Sequence, residues 1–168
     1  MVILVTGGVA SGKSEYAENI SIKLKTDKLV HIQTVISDYE NLNKIQIDKI
    51  RRQKKGFKNI ECTNDLKSIN SEDIKDATVL IESISTLLYN AMKHSKKDIV
   101  FKIIDEIKFL KEKAENIIIE TNEVFSDGNI YDKNTEEYIN NMSYINRTLA
   151  CMADEVVEIV YGIDVHIK

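Results

Sequence analysis

The chain has 168 residues, a formal net charge of −4, two cysteines and no proline. Its length suffices for a core that needs no disulfide or metal staple, and lysines dispersed among Asp and Glu leave no basic stripe for a nucleic-acid backbone. Cys62 and Cys151 stand far apart, in no metal-ligand spacing, as reduced thiols do; with no basic segment ahead of Val2 and no apolar run near ~20 residues, a cytoplasmic, membrane-free location is expected.

In chain order, Val2 to Thr6 is continuously apolar, as a strand covered on both faces would be, and Tyr16, Ala17, Ile20 and Leu24 follow at helical spacing. Leu29 to Val35 reads as a second strand, Asn41 to Gln53 as a polar helix, Phe57 to Cys62 as a third strand and Ala77 to Ile81 as a fourth. Ser85 to His94 and Asp98 to Ala114 read as helices, the latter placing Val100, Ile103, Ile104, Ile107 and Leu110 on one stripe. Ile117 to Thr121 is a β-branched strand. A helix from Asn134 carries Tyr138, Met142, Ile145, Leu149 and Met152, and Glu155 to Tyr161 is a last strand. Strands alternating with helices predict an α/β fold with a mostly parallel sheet covered on both faces. Nothing resembling a linker or repeat divides residues 1–168, so a single domain is expected.

Between the first strand and the first helix lie Gly7, Gly8, Val9, Ala10, Ser11, Gly12, Lys13 and Ser14, which match GxxxxGK[ST] in the context that motif requires. Glycines let backbone N–H groups turn inward on phosphate oxygens, and the helix N-terminus adds positive partial charge. Lys13 is expected to reach the β- and γ-phosphates and Ser14 to ligate Mg²⁺. Glu82 ends the apolar run Val79, Leu80, Ile81, where a metal-binding acid is expected, although Asp is usual there; the other reading is an exposed strand-end carboxylate. His31, His94 and His166 read as strand, cap and surface residues.

Longer stretches resemble one family, the adenosylcobinamide kinase / adenosylcobinamide-phosphate guanylyltransferases. The opening LVTGGVASGKSEYAE is similar to the family's GGxRSGKS loop, with Ala10 in place of its arginine. Thr121, Asn122, Glu123 and Val124 match its TNEV, and the spacing from Asn122 to Asn146 is the family's without a gap. Leu149, Ala150, Ala153, Asp154, Glu155 and Val156 follow its LAxxADEV, and Gly162, Ile163 and Lys168 its GIPLxxK ending.

The resemblance implies the P-loop NTPase fold, ATP or GTP and the corrinoid adenosylcobinamide as substrates, and a homo-oligomer, a trimer in the family. It also implies two reactions: phosphorylation of adenosylcobinamide, then GMP transfer through a histidine in a HRxxRPxxW stretch. With Phe57 in the tryptophan position and Glu61 matching the family's glutamate, a nucleotide-binding position by this resemblance, Lys49 occupies the histidine position and Gln53 and Lys54 replace the Arg-Pro pair. A neutral lysine can accept a nucleotidyl group as a phosphoramidate, so Lys49 is a candidate nucleophile, and the run Lys49, Arg51, Arg52, Lys54, Lys55 is otherwise a phosphate contact or a solvated face. The loop after Val124 lacks the family's GxGxVP pattern, and Ile139-Asn140 and Glu82-Ser83 replace its Arg-Asp and Asp-Cys pairs. Three functions stay open: a family enzyme whose kinase half is better supported, an impaired relative that binds GTP or a corrinoid, and a P-loop kinase for another small molecule.

Overall fold

In the computed structural model, which describes residues 1–36, 42–94, 98–125 and 129–168, the chain forms β1 (Val2–Gly7), α1 (Lys13–Lys23), β2 (Leu29–Gln33), α2 (Leu42–Lys54), β3 (Lys58–Glu61), a 3-10 turn (Leu66–Ser68) and α3 (Ser71–Ile74). There follow β4 (Thr78–Ile81), α4 (Ile84–His94), α5 (Ile99–Lys113), β5 (Asn116–Glu120), α6 (Lys133–Met152), β6 (Glu155–Val160) and β7 (Ile163–His166). The expected elements are present with ends moved by a residue or two. Asn41, and the positions Ser126, Asp127 and Gly128 after the TNEV match, lie outside the described residues.

The strands form one seven-stranded sheet in the order β3-β2-β4-β5-β1-β6-β7. All pairs are parallel except β6 with β7. Alternate residues of each strand face opposite sides. Val2, Leu4, Val79, Ile81, Ile117 and Ile119 join a core with α4, α5 and α6, while Ile3, Val5, Leu80, Ile118 and Val157 join a second core with Ala17 of α1. Burial on both faces is why these strands read as unbroken apolar runs. The predicted α5 stripe is buried through Ile103, Ile104, Ile107 and Leu110, and truncating a fully buried member such as Leu110 costs about 2–5 kcal/mol.

Three elements had no counterpart in the sequence reading. The 3-10 turn and α3 are single-turn pieces started by side-chain caps: Asp65 accepts from the Lys67 amide and Asn70 from the Glu72 amide. Strand β7 is four residues long and exposed throughout. It returns from β6 through Tyr161 and Gly162, both at positive φ (51° and 80°), as a two-residue hairpin turn requires.

Candidate functional site

Strand β1 delivers the glycine-rich loop to the C-terminal edge of the sheet, the edge where open α/β sheets bind ligands. A Cβ on Gly7 would lie 2.6 Å from the Ile159 carbonyl oxygen and 2.7 Å from Ser11 Oγ, so this position admits only glycine; Gly8 has nothing within 4 Å. Ala10 adopts φ 58° and Gly12 φ 97°, and the Gly12 carbonyl then accepts from the Tyr16 amide at 3.1 Å, opening α1. The β6–β7 turn props the loop from behind, the Gly162 amide donating to the Ser11 carbonyl at 2.8 Å. Lys13 is buried, with Nζ donating to the Gly8 carbonyl at 3.1 Å.

Two carboxylates end neighbouring strands beside this loop. Glu120 closes β5, next to β1, and Oε1 accepts from Ser14 Oγ at 2.9 Å. Burial pushes the Glu120 pKa up to about 7, against the Ser14 hydrogen bond and the Lys13 charge, while Glu82 adds repulsion. Glu82 follows β4 and is turned toward α2, with Arg52 Nη1 3.4 Å from Oε1 and His31 Nε2 3.8 Å from Oε2. Burial raises its pKa and Arg52 opposes the rise. The sequence thus pointed to Glu82 as the acid beside the loop, and the carboxylate that touches Ser14 is Glu120. The same signal, an acid ending an apolar run, is present in Ile117-Ile118-Ile119-Glu120.

His31, read as an ordinary strand residue, is fully buried on β2. Its Nδ1 lies 3.0 Å from Asn59 Oδ1, and burial followed by the Arg52 charge depresses its pKa to about 3. At neutral pH the ring is therefore uncharged.

The basic run of α2 divides in two. Glu18 of α1, with its side chain only 1% exposed, takes Arg52 Nε at 2.9 Å, Arg51 Nη2 at 2.9 Å and Lys55 Nζ at 2.6 Å. Lys49 and Lys54 are exposed, the Lys49 carbonyl accepting from Asn59 Nδ2 at 3.4 Å. Glu61 is exposed at the end of β3, an edge of the sheet. Four strand spacings separate β3 from β1 in that order, roughly 19 Å. A ligand whose phosphates sat in the loop would reach Glu61 only with its far end.

Residues 121–125 run across the start of the loop. The Glu123 amide donates to the Gly7 carbonyl at 3.2 Å. Asn146 of α6 fixes this segment, accepting from Thr121 Oγ1 at 2.7 Å and donating to the Asn122 carbonyl at 3.2 Å. The two ends of the sequence match from Asn122 to Asn146 are thus in contact.

Among the described residues no group of three or more His, Cys, Asp or Glu side chains could enclose a metal. The donors grouped by the loop are hard oxygens, the Ser14 hydroxyl with the Glu120 carboxylate and Glu82 close by. That set suits Mg²⁺, which keeps most of its coordination for water and phosphate rather than for an all-protein cage.

Fold and loop together define a P-loop NTPase-type protein. A solved ATPase domain superposes with a TM-score of 0.51 at 12% identity, over 94% of this chain and 68% of that one. An ATPase from the type III secretion system of pathogenic bacteria superposes at 0.50 and 10% identity, over 94% and 50% of the two chains. The model of the cobinamide kinase / cobinamide phosphate guanyltransferase family matches residues 3–167, and the chain belongs to that family. The bifunctional adenosylcobalamin biosynthesis protein CobU of Salmonella typhimurium is 30% identical over 185 aligned positions, covering all of both chains. No helix among the described residues is long and apolar enough to cross a membrane.

Proposed function

We propose that the chain acts in cobalamin biosynthesis, transferring the γ-phosphoryl group of ATP or GTP to the aminopropanol hydroxyl of adenosylcobinamide, and that this kinase step is the better supported of the family's two. The observation that carries the reading is the complete loop from Gly7 to Ser14 in a chain matched by the family model along nearly its whole length. In this scheme the loop amides and the α1 N-terminus cradle the phosphates. Lys13 leaves the Gly8 carbonyl for phosphate oxygens, following the charge as it moves toward the leaving oxygen. Ser14 and Glu82 are the residues proposed to hold Mg²⁺, whose charge neutralises the polyphosphate when bound. The substrate oxygen forms its bond to the γ-phosphorus as the bond to the β–γ bridging oxygen breaks, the hydroxyl proton is released, and the nucleoside diphosphate departs.

For GMP transfer the candidate acceptor is Lys49, supported by its matched position and by its exposure on α2. Capture of Arg51, Arg52 and Lys55 by Glu18 favours the second reading, a relative that binds nucleotide or corrinoid without this transfer. A cytoplasmic homo-oligomer, trimeric as in the family, is part of the proposal.

The test is incubation of the protein with adenosylcobinamide, Mg²⁺ and γ- or α-labelled GTP. Transfer of γ-label to corrinoid is the expected result. α-Label on protein or corrinoid would add the second activity and direct attention to Lys49, and absence of both transfers would overturn the enzyme reading.

A further inference from the structure

In a P-loop site the serine that follows the lysine needs a defined hydroxyl orientation. A hydroxyl has a single hydrogen to donate and two lone pairs. With the O–H directed at a cation the contact is repulsive; with the O–H directed away, a lone pair is presented. Something must therefore accept the proton from behind. The acid expected from the sequence, Glu82, is engaged by Arg52 at 3.4 Å. The Ser14 hydroxyl instead donates 2.9 Å to Glu120, a residue no sequence motif assigned.

Glu120 is placed to do this. It is 7% exposed, follows three fully buried isoleucines, and sits on the strand paired directly with the loop-bearing strand, Val5 opposite Glu120. An apolar residue would fit the strand at no desolvation cost. Burial works against a charged carboxylate there, and the Ser14 hydrogen bond and the nearby Lys13 charge oppose it without cancelling it.

We infer that Glu120 is a positioning residue of the nucleotide site, its carboxylate holding the Ser14 hydroxyl hydrogen so that the oxygen's lone pairs face the divalent cation carried by the nucleotide. The inference rests on the reading of Gly7–Ser14 as the nucleotide site. It predicts a dependence on metal that a merely structural carboxylate would not produce.

The measurement is the affinity for GTP with Mg²⁺ and with EDTA, their ratio being the gain due to metal. In Glu120→Val, which extends the β-branched run of β5, this gain should fall about tenfold, the lower end of the effect of removing a partner that orients a metal ligand. Affinity in EDTA should hold. Glu120→Gln keeps an acceptor and should fall between wild type and valine; it carries the test if the valine variant does not fold. In a Ser14→Ala background the valine substitution should remove nothing more. A full metal gain in Glu120→Val, or an equal loss with and without metal, would overturn the inference. Wild-type binding that Lys13→Ala leaves unchanged would instead overturn the site itself, and is read without any Glu120 variant.

Discussion

Arg52 donates through Nε to Glu18 at 2.9 Å, joining α2 to α1 through two side chains that are both almost wholly buried. Arg51 and Lys55 close on the same carboxylate, and Arg52 reaches on to Glu82. One acid on the loop-bearing helix thus gathers three cations from the end of α2 and the residue after it. Removing one partner of a buried ion pair strands the other charge without compensation, so Glu18→Gln should destabilise the protein by about 3 kcal/mol, read by urea unfolding at neutral pH. Arg51→Gln, at the half-exposed partner, should cost far less.

The same acid shapes stability against pH. Burial pushes the Glu18 pKa up, but hydrogen bonds from Lys55 and Arg52 and the charges of Arg52 and Arg51 outweigh burial and leave it below the ordinary value. A carboxylate whose folded pKa is depressed binds fewer protons folded than unfolded. Its contribution is complete above the unfolded value near ~4.3 and is lost as pH falls through the folded value. Unfolding curves from pH 7 downward should therefore show wild type and Glu18→Gln converging below about pH 4.3. A constant difference down to pH 3 would show that Glu18 acts through packing alone.

Lys13→Ala should lower nucleotide-dependent activity by about 10²-fold or more, since in the proposed mechanism the lysine supplies a mobile charge at the phosphates. Among the described residues the Lys13 ammonium bonds to a loop carbonyl alone, so the thermal midpoint should change little. Circular dichroism with nucleotide titration separates the two effects. Activity equal to wild type would remove the loop from the mechanism.

Gly7 and Gly8 are adjacent in sequence and opposite in tolerance. A methyl group at Gly7 meets a backbone oxygen that cannot rotate away, whereas one at Gly8 meets nothing. Gly7→Ala should cost about 1–3 kcal/mol and loosen the loop against β6. Gly8→Ala should leave the unfolding midpoint within error, and a large shift there would contradict the loop geometry.

Asn146→Ala removes the two side-chain hydrogen bonds that tie residues 121 and 122 to α6, leaving the Thr121 amide on the Val5 carbonyl. A loss of about 1–2 kcal/mol is expected, with faster amide exchange at Glu123, whose amide bonds to Gly7. Unchanged exchange at Glu123 would uncouple α6 from the loop.

What the sequence disclosed and what it hid follow from where the stabilising contacts lie. The β1 strand, the loop and α1 were legible because a local pattern, an apolar run broken by glycines and resumed at helical spacing, specifies each. Family resemblance placed Asn122 and Asn146 at a fixed spacing, and they meet. Glu18 was invisible because a buried charge and a solvated one look alike on a helix until the partner is known, and its partners are on another helix. Glu120 was passed over as the tail of a strand, since only the strand order brings β5 against the loop. Strand β7 escaped because four exposed residues bury too little to leave a pattern, and the basic run on α2 gave no hint that one acid would occupy three of its charges.

The contact between Gly162 and Ser11 has a consequence for how the molecule comes into being. The loop is braced by a turn that lies some 150 residues further along the chain and is synthesised that much later. Contacts of such sequence separation form late in folding. A nascent chain can therefore carry the entire phosphate-binding motif and still lack its brace, so nucleotide capture should appear only once the β6–β7 hairpin has been synthesised and docked.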